Sequence, residues 1–157
     1  MRCLLACVLL LASITACTVT PQTVTIQVFF LKTDQFVIGT EPYERAVSRT
    51  IPTSEDLPAL VLEQLFLGPT AEEQADGLAL VTSGATGFTD FRVEESVAHI
   101  TLLGDCSSGG STYTIANLIF ANLAQFPEIK WIKIYDQDGS TGTPEGQSSS
   151  IPFCLEP

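Results

Sequence analysis

The stretch GDCSSGGS at residues 104–111 has the residue types and spacing to do chemistry. It follows VAHITLL and precedes TYTIANLIFANLAQF, so it reads as a glycine-rich turn leading from a strand into a helix. Phosphate-cradling loops have the spacing G-x-x-x-x-G-K-[ST] in that setting, and every fixed position fits except the lysine, which is Gly110 here. Without that ammonium nothing reaches the outer phosphates, and Asp105 adds a negative charge inside the loop. Both argue against a nucleotide. The alternative is a β-α connection whose glycines take positive φ, with Ser111 or Thr112 capping the helix. Cys106 as a nucleophile would need a base. The one histidine, His99, is seven residues upstream on the same strand, out of reach. A disulfide from Cys106 to Cys154 accounts for both cysteines, and closing a loop of that length contributes roughly 4 kcal/mol on chain entropy.

A second candidate is Asp136-Gln137-Asp138-Gly139. A calcium loop opening on Asp136 and Asp138 would want an acid or amide at its fifth position, glycine at the sixth and glutamate at the twelfth. The sequence has Ser140, Thr141 and Gln147. Asp136 and Asp138, with Glu145 beyond them, therefore read first as turn residues and only second as a weak cation site. Trp131 and Tyr135 alternate with Ile132 and Ile134, which places them on the other face of the last strand, either under the loop that follows or on a partner-binding surface. No paired carboxylates, Ser-His-Asp set or metal cluster stands out elsewhere, so a hydrolase is the weakest reading and no cofactor is expected.

The elements that must position these residues begin after a leader. Met1-Arg2 and the twelve apolar residues CLLACVLLLASI have the layout of a signal peptide, too short for a membrane span. Ile14-Thr15-Ala16-Cys17 resembles the bacterial lipobox, which implies that residues 1–16 are removed and that Cys17 becomes a diacylglyceryl-bearing N-terminus. Two acyl chains make a stable anchor without a transmembrane helix. Residues 17–23 would then be a tether of about 20 Å at most. Of five cysteines, Cys3 and Cys7 leave with the leader and Cys17 takes lipid, so Cys106 and Cys154 remain in a compartment that permits disulfides. Losing residues 1–16 removes Arg2 and no acid, leaving 6 basic and 18 acidic residues and a net charge of −12. Such a domain repels nucleic acid and anionic headgroups.

VTIQVFFL at residues 24–31 alternates as a strand, and a weaker strand is expected within residues 36–51, with RAVSRTI its best part. Thr53, Ser54 and Asp56 are N-cap candidates for a helix carrying Leu57, Leu60, Val61 and Leu65, stopped by Gly68-Pro69. A polar connector leads to FTDFRVEE, which turns at Glu95-Ser96 into VAHITLL. A second helix over residues 112–125 and a last strand, IKWIKIY, complete the order β-(β)-α-β-β-α-β. Two amphipathic helices and a small mixed sheet must bury their apolar sides on each other, giving an α+β two-layer sandwich with both helices on one sheet face. Residues 24–139 form this domain. Residues 140–157 are a polar loop and a tail that Cys154 would hold.

Several stretches together resemble the GerMN domain, the sporulation and spore germination domain of bacterial lipoproteins. They are VFFL, SRTIP, LEQLFLGPT, Gly77-Leu78, VAHITLL, ANLIFANLAQFPEIKWIKIYD and the Asp138-Gly139 turn. The resemblance spans roughly residues 24–139 and is most specific at LFLGPT and the helix-FP-strand junction. It implies a membrane-tethered, extracytoplasmic module tied to protein assembly at the envelope and to sporulation or germination, and it carries over no catalytic residue. One copy is present where some members have two, and the cysteine pair and tail are additions. The expectation is a non-catalytic lipoprotein held by the bilayer through Cys17 that docks on another envelope protein or on itself, without nucleic acid or nucleotide. A small-ligand or calcium-binding module is the alternative.

Overall fold

The structure is a computed structural model, and it describes residues 22–53 and 56–157. The leader and Cys17 lie outside the described residues. The chain runs β1 (Thr23–Lys32), α1 (Thr33–Ile38), β2 (Glu44–Pro52), α2 (Leu57–Phe66), α3 (Ala71–Ala75), β3 (Leu78–Ala79), β4 (Gly87–Glu94), β5 (Val97–Leu103), α4 (Ile115–Leu123) and β6 (Trp131–Tyr135). A short 3₁₀ turn, Phe153–Leu155, ends the tail. The α+β class and the order of the main strands and helices follow the sequence. The short elements α1, α3 and β3 fall where a polar turn and a polar connector are expected.

The strands form two three-stranded sheets rather than one, ordered β2-β1-β3 and β4-β5-β6. β1 pairs antiparallel with all of β2, but β3 reaches only Leu31 and Lys32. Along the rest of that edge, α4 supplies the missing partner. Asn122 accepts from the Phe29 N–H and donates to the Phe29 carbonyl, both at 2.9 Å, and Gln125 donates to the Gln27 carbonyl at 3.0 Å. One amide on α4 and one in the turn just after it thus bond two residues of one strand edge, and β1 is closed off from the second sheet. In that second sheet β4 and β5 form a hairpin and β6 joins β5 in parallel, which makes it mixed.

Helices α2 and α4 pack on β1 and on each other. Val28 and Phe30 of β1, Leu62 and Leu65 of α2, Leu118 and Ile119 of α4, Ile100 and Leu102 of β5 and Ile134 of β6 share one fully buried core. Asp56 caps α2 through its carboxylate, which accepts from the Ala59 N–H at 3.1 Å, with Pro58 in the first turn. Arg49 gives LFLGPT its physical meaning. Its guanidinium donates to the carbonyls of Gln64 at 3.1 Å and Gly68 at 2.9 Å, where α2 ends, and pairs with Glu73 of α3 at 2.8 Å. The same group lies 5.2 Å from the centroid of the Phe30 ring. Glu73 also accepts from the Thr70 N–H in a capping box, so the turn after α2 and the start of α3 hang on one arginine.

Candidate functional site

The glycine-rich turn is a crossing of two loops. Gly84 and Gly104 both have positive φ, and a Cβ on Gly84 would sit 2.0 Å from the Asp105 carbonyl oxygen, so only glycine permits the approach. The Ser107 N–H bonds the Ser83 carbonyl across this crossing at 2.8 Å. The helix cap is not Ser111 or Thr112. Helix α4 starts at Ile115, where Thr114 donates its N–H to the Asn117 side chain at 2.8 Å and the Ser83 hydroxyl accepts from the Ile115 N–H at 3.1 Å. Ser111 is instead bonded to both the N–H and the carbonyl of Tyr113. A local turn took the expected cap, and the crossing loop supplied a replacement.

Cys106 and Cys154 are paired across a sequence separation of 48, with Cα atoms 5.7 Å apart. The sequence names this tether but misses three others. Ser150 bonds the backbone of β6 on both sides, donating to Ile132 and accepting from Ile134 at 3.0 and 2.9 Å, and so continues the second sheet beyond β6. Thr141 and Ser150 share a buried hydroxyl contact. Leu155 belongs to the core. The tail is built into the fold, and apolar or strand-forming residues inside a serine-rich stretch are too few to signal it.

The acidic turn folds on itself. The Asp136 carboxylate accepts from the N–H groups of Asp138 at 3.0 Å and Ser140 at 2.8 Å, an Asx turn of the kind expected after a strand. Asp105, Asp136 and Asp138 border a cavity of about 190 Å³ beside the cysteine pair. Among the described residues no three His, Cys, Asp or Glu side chains are grouped to hold a metal ion.

His99 and Tyr135 lie on the face of β5 and β6 opposite the core, as their alternation requires. The Nδ1 of His99 is 3.0 Å from the Tyr135 hydroxyl, and the two rings are nearly parallel. Burial, then the Arg92 guanidinium, lower the imidazole's pKa from its usual value; burial raises the Tyr135 phenol's. Between them Lys133, 1% exposed, donates to the Thr143 carbonyl at 2.5 Å and the Glu145 carbonyl at 3.1 Å. The loop after β6 therefore folds over Lys133, while Trp131 stays 39% exposed. A buried lysine that organises a loop looks like a surface lysine in sequence, and nothing local marks it.

Nothing in the sequence signals the cleft at the end of β1 opposite Thr23. Phe36 of α1, Tyr43 before β2 and Tyr113 before α4 come together with ring centroids 5.2–6.2 Å apart at steep mutual angles. With Glu41, Pro42, Glu44, Thr112 and Asn117 they enclose about 440 Å³. Tyr113 is buried and donates its hydroxyl to a Glu44 carboxylate oxygen at 2.6 Å. Burial, reinforced by that bond and that charge, holds its phenol far above the usual tyrosine range. Beside the cleft, Val37 and Ile38 of α1 stand 81% and 72% exposed.

With two small sheets braced by two helices and no grouped metal-ligating side chains among the described residues, the fold defines an α+β module. The family model for sporulation and spore germination, Germane, matches residues 27–142. The chain belongs to that family. Among solved structures it is similar to the tandem GerMN domains of the sporulation protein GerM from Bacillus subtilis, with a TM-score of 0.51 and 16% identity. The match covers 88% of this chain and 51% of that one, so this chain spans about half the length of that solved structure. No curated protein matches it.

Proposed function

We propose that the protein is a non-catalytic, lipid-anchored module on the extracytoplasmic face of the cell membrane that docks on another envelope protein or on a second copy of itself. The family match over residues 27–142 carries this reading, because the family is defined by sporulation and spore germination. Two further observations support it. The lipobox ending in Cys17 implies anchoring by acyl chains, and Val37 and Ile38 form an exposed apolar step that a soluble monomer has little reason to keep. A cysteine pair that closes the tail onto the fold suits export to an oxidising compartment.

Photocrosslinking from position 37 or 38 in intact membranes tests the docking. A discrete adduct that excess unlabelled protein competes away, with its partner identified by mass, is expected; a chain that stays monomeric and uncrosslinked refutes docking. Anchoring is tested separately with Cys17→Ala. The variant should accumulate uncleaved or leave the membrane, and normal processing and retention refute the lipobox reading.

A further inference from the structure

We propose that the cleft between α1, β2 and the start of α4 is a recognition site for a cationic side chain, an arginine or lysine presented by a protein partner. This inference rests on the docking reading and names the chemistry it would use. Three features point the same way. The walls are aromatic, with Phe36 and Tyr43 partly exposed and Tyr113 packed behind them, and a cation near such rings is attracted by their quadrupoles. At about 440 Å³ the cleft is large enough for a guanidinium and its aliphatic stem.

The second feature is an uncompensated charge. Glu44 is half-buried at the cleft, its neighbour Glu41 is on the rim, and neither takes part in an ion pair among the described residues. The nearest lysine on β1, Lys32, is committed elsewhere, 3.5 Å from Asp34 and in contact with the Asp76 carbonyl. Arg45 faces the other way along β2 and is exposed. A half-buried carboxylate without a cation is costly to keep, and an incoming guanidinium would relieve it with bidentate hydrogen bonds.

The third feature is preorganisation. The hydroxyl of Tyr113, buried and protonated, fixes one Glu44 oxygen, so the carboxylate is aimed before a ligand arrives. Val37 and Ile38 extend the site with an apolar edge, which fits a basic residue beside apolar ones on a partner. The cleft also lies at the end of β1 away from Thr23, roughly 30 Å along a ten-residue strand, which favours a protein over a lipid headgroup.

The test titrates the full-length protein in detergent with N-acetyl-arginine methylamide and with its neutral isostere, N-acetyl-citrulline methylamide, following the Tyr43 and Tyr113 ring signals by NMR. Saturable shifts with millimolar affinity are expected for the arginine probe, with binding at least tenfold weaker for citrulline. Glu44→Gln should weaken arginine binding about tenfold and leave citrulline unchanged. Glu41→Gln, on the exposed rim and without consequence for folding, should weaken it about threefold. Equal affinity for the two probes, insensitivity to both substitutions, or no saturation overturns the proposal. Ring shifts induced by phosphatidylcholine vesicles and absent with the arginine probe would overturn the assignment to a protein side chain. The failures are separable: envelope crosslinks that persist in Glu44→Gln while arginine does not bind leave docking standing and remove the cleft. Arginine binding without any crosslinked protein removes docking instead.

Discussion

Asn122 gives the sharpest test of how the two sheets are kept apart. Its side chain is fully buried and makes three hydrogen bonds, to the Phe29 N–H and carbonyl and to the Leu118 carbonyl at 2.8 Å. Phe29 turns both of its backbone groups away from β2, so on that edge Asn122 is its partner. Asn122→Ala leaves that N–H and that carbonyl in a dry site. At roughly 1–3 kcal/mol for each orphaned buried group, the loss is about 4 kcal/mol. Against a total of about 5–15 kcal/mol this is a large fraction, read as a lower urea midpoint with little change in slope. Asn122→Asp separates hydrogen bonding from packing. At neutral pH a carboxylate can accept from the Phe29 N–H but faces the Phe29 and Leu118 carbonyls, so the variant should be as unstable as the alanine form or worse. A protonated aspartic acid has both an acceptor and a donor and can restore both Phe29 bonds. Its folded pKa is therefore raised above the unfolded value near 4, and the stability it contributes is present in acid and lost as the pH rises. Relative to Asn122→Ala, the aspartate form should gain stability on acidification. A loss under about 1 kcal/mol for alanine, or parallel pH profiles for the two variants, would refute the reasoning.

Other expectations follow from single contacts. Arg49→Met removes the cation that joins the end of α2 to Glu73 and should cost about 3 kcal/mol; Arg49→Lys keeps the charge but loses the fork, and chemical denaturation should show it recovering only part. Cys154→Ser should cost up to about 4 kcal/mol and make residues 140–157 readily cleaved by protease, and two reactive thiols in the unreduced wild-type protein would contradict the pairing. The single histidine should titrate below its usual range, so the stability that neutral His99 contributes is full above about pH 6.5 and fades as the pH falls; its NMR titration should shift upward in Arg92→Gln. Tyr113 works in the opposite direction: its raised phenol pKa stabilises the fold below about pH 10 and that contribution is lost as the pH rises, so its phenolate absorbance should appear last and together with unfolding, and vanish in Tyr113→Phe.

Much of the fold is legible because its signals are local. β1 alternates and is buried at Ile26, Val28 and Phe30 as its period requires. Asp56, Pro58 and the Gly68-Pro69 stop bracket α2. Glu95 and Ser96 were legible as a tight turn and both take positive φ, the geometry of a two-residue hairpin loop, although neither is glycine. The short α3 opens on a capping-box signature, Thr70-Ala71-Glu72-Glu73, but its five residues carry no apolar period to mark a helix in the sequence. The start of α4 at Thr114, rather than at Ser111 or Thr112, involves Ser83, which accepts from the Ile115 N–H thirty-two residues away in sequence.

By itself the sequence determined the α+β order, the acidic charge, the cysteine pair and the family, since each depends on residue type and on spacing along the chain. Only the tertiary structure decided that β1 does not join the second sheet, that Lys133 is buried to hold a loop, and that Glu44 and Tyr113 meet across sixty-nine residues to make a cleft. The physical reason is the same in each case. A hydrogen bond or an uncompensated charge gains its energy from the partner and the desolvation that packing imposes, and neither is written in the residues on either side of it.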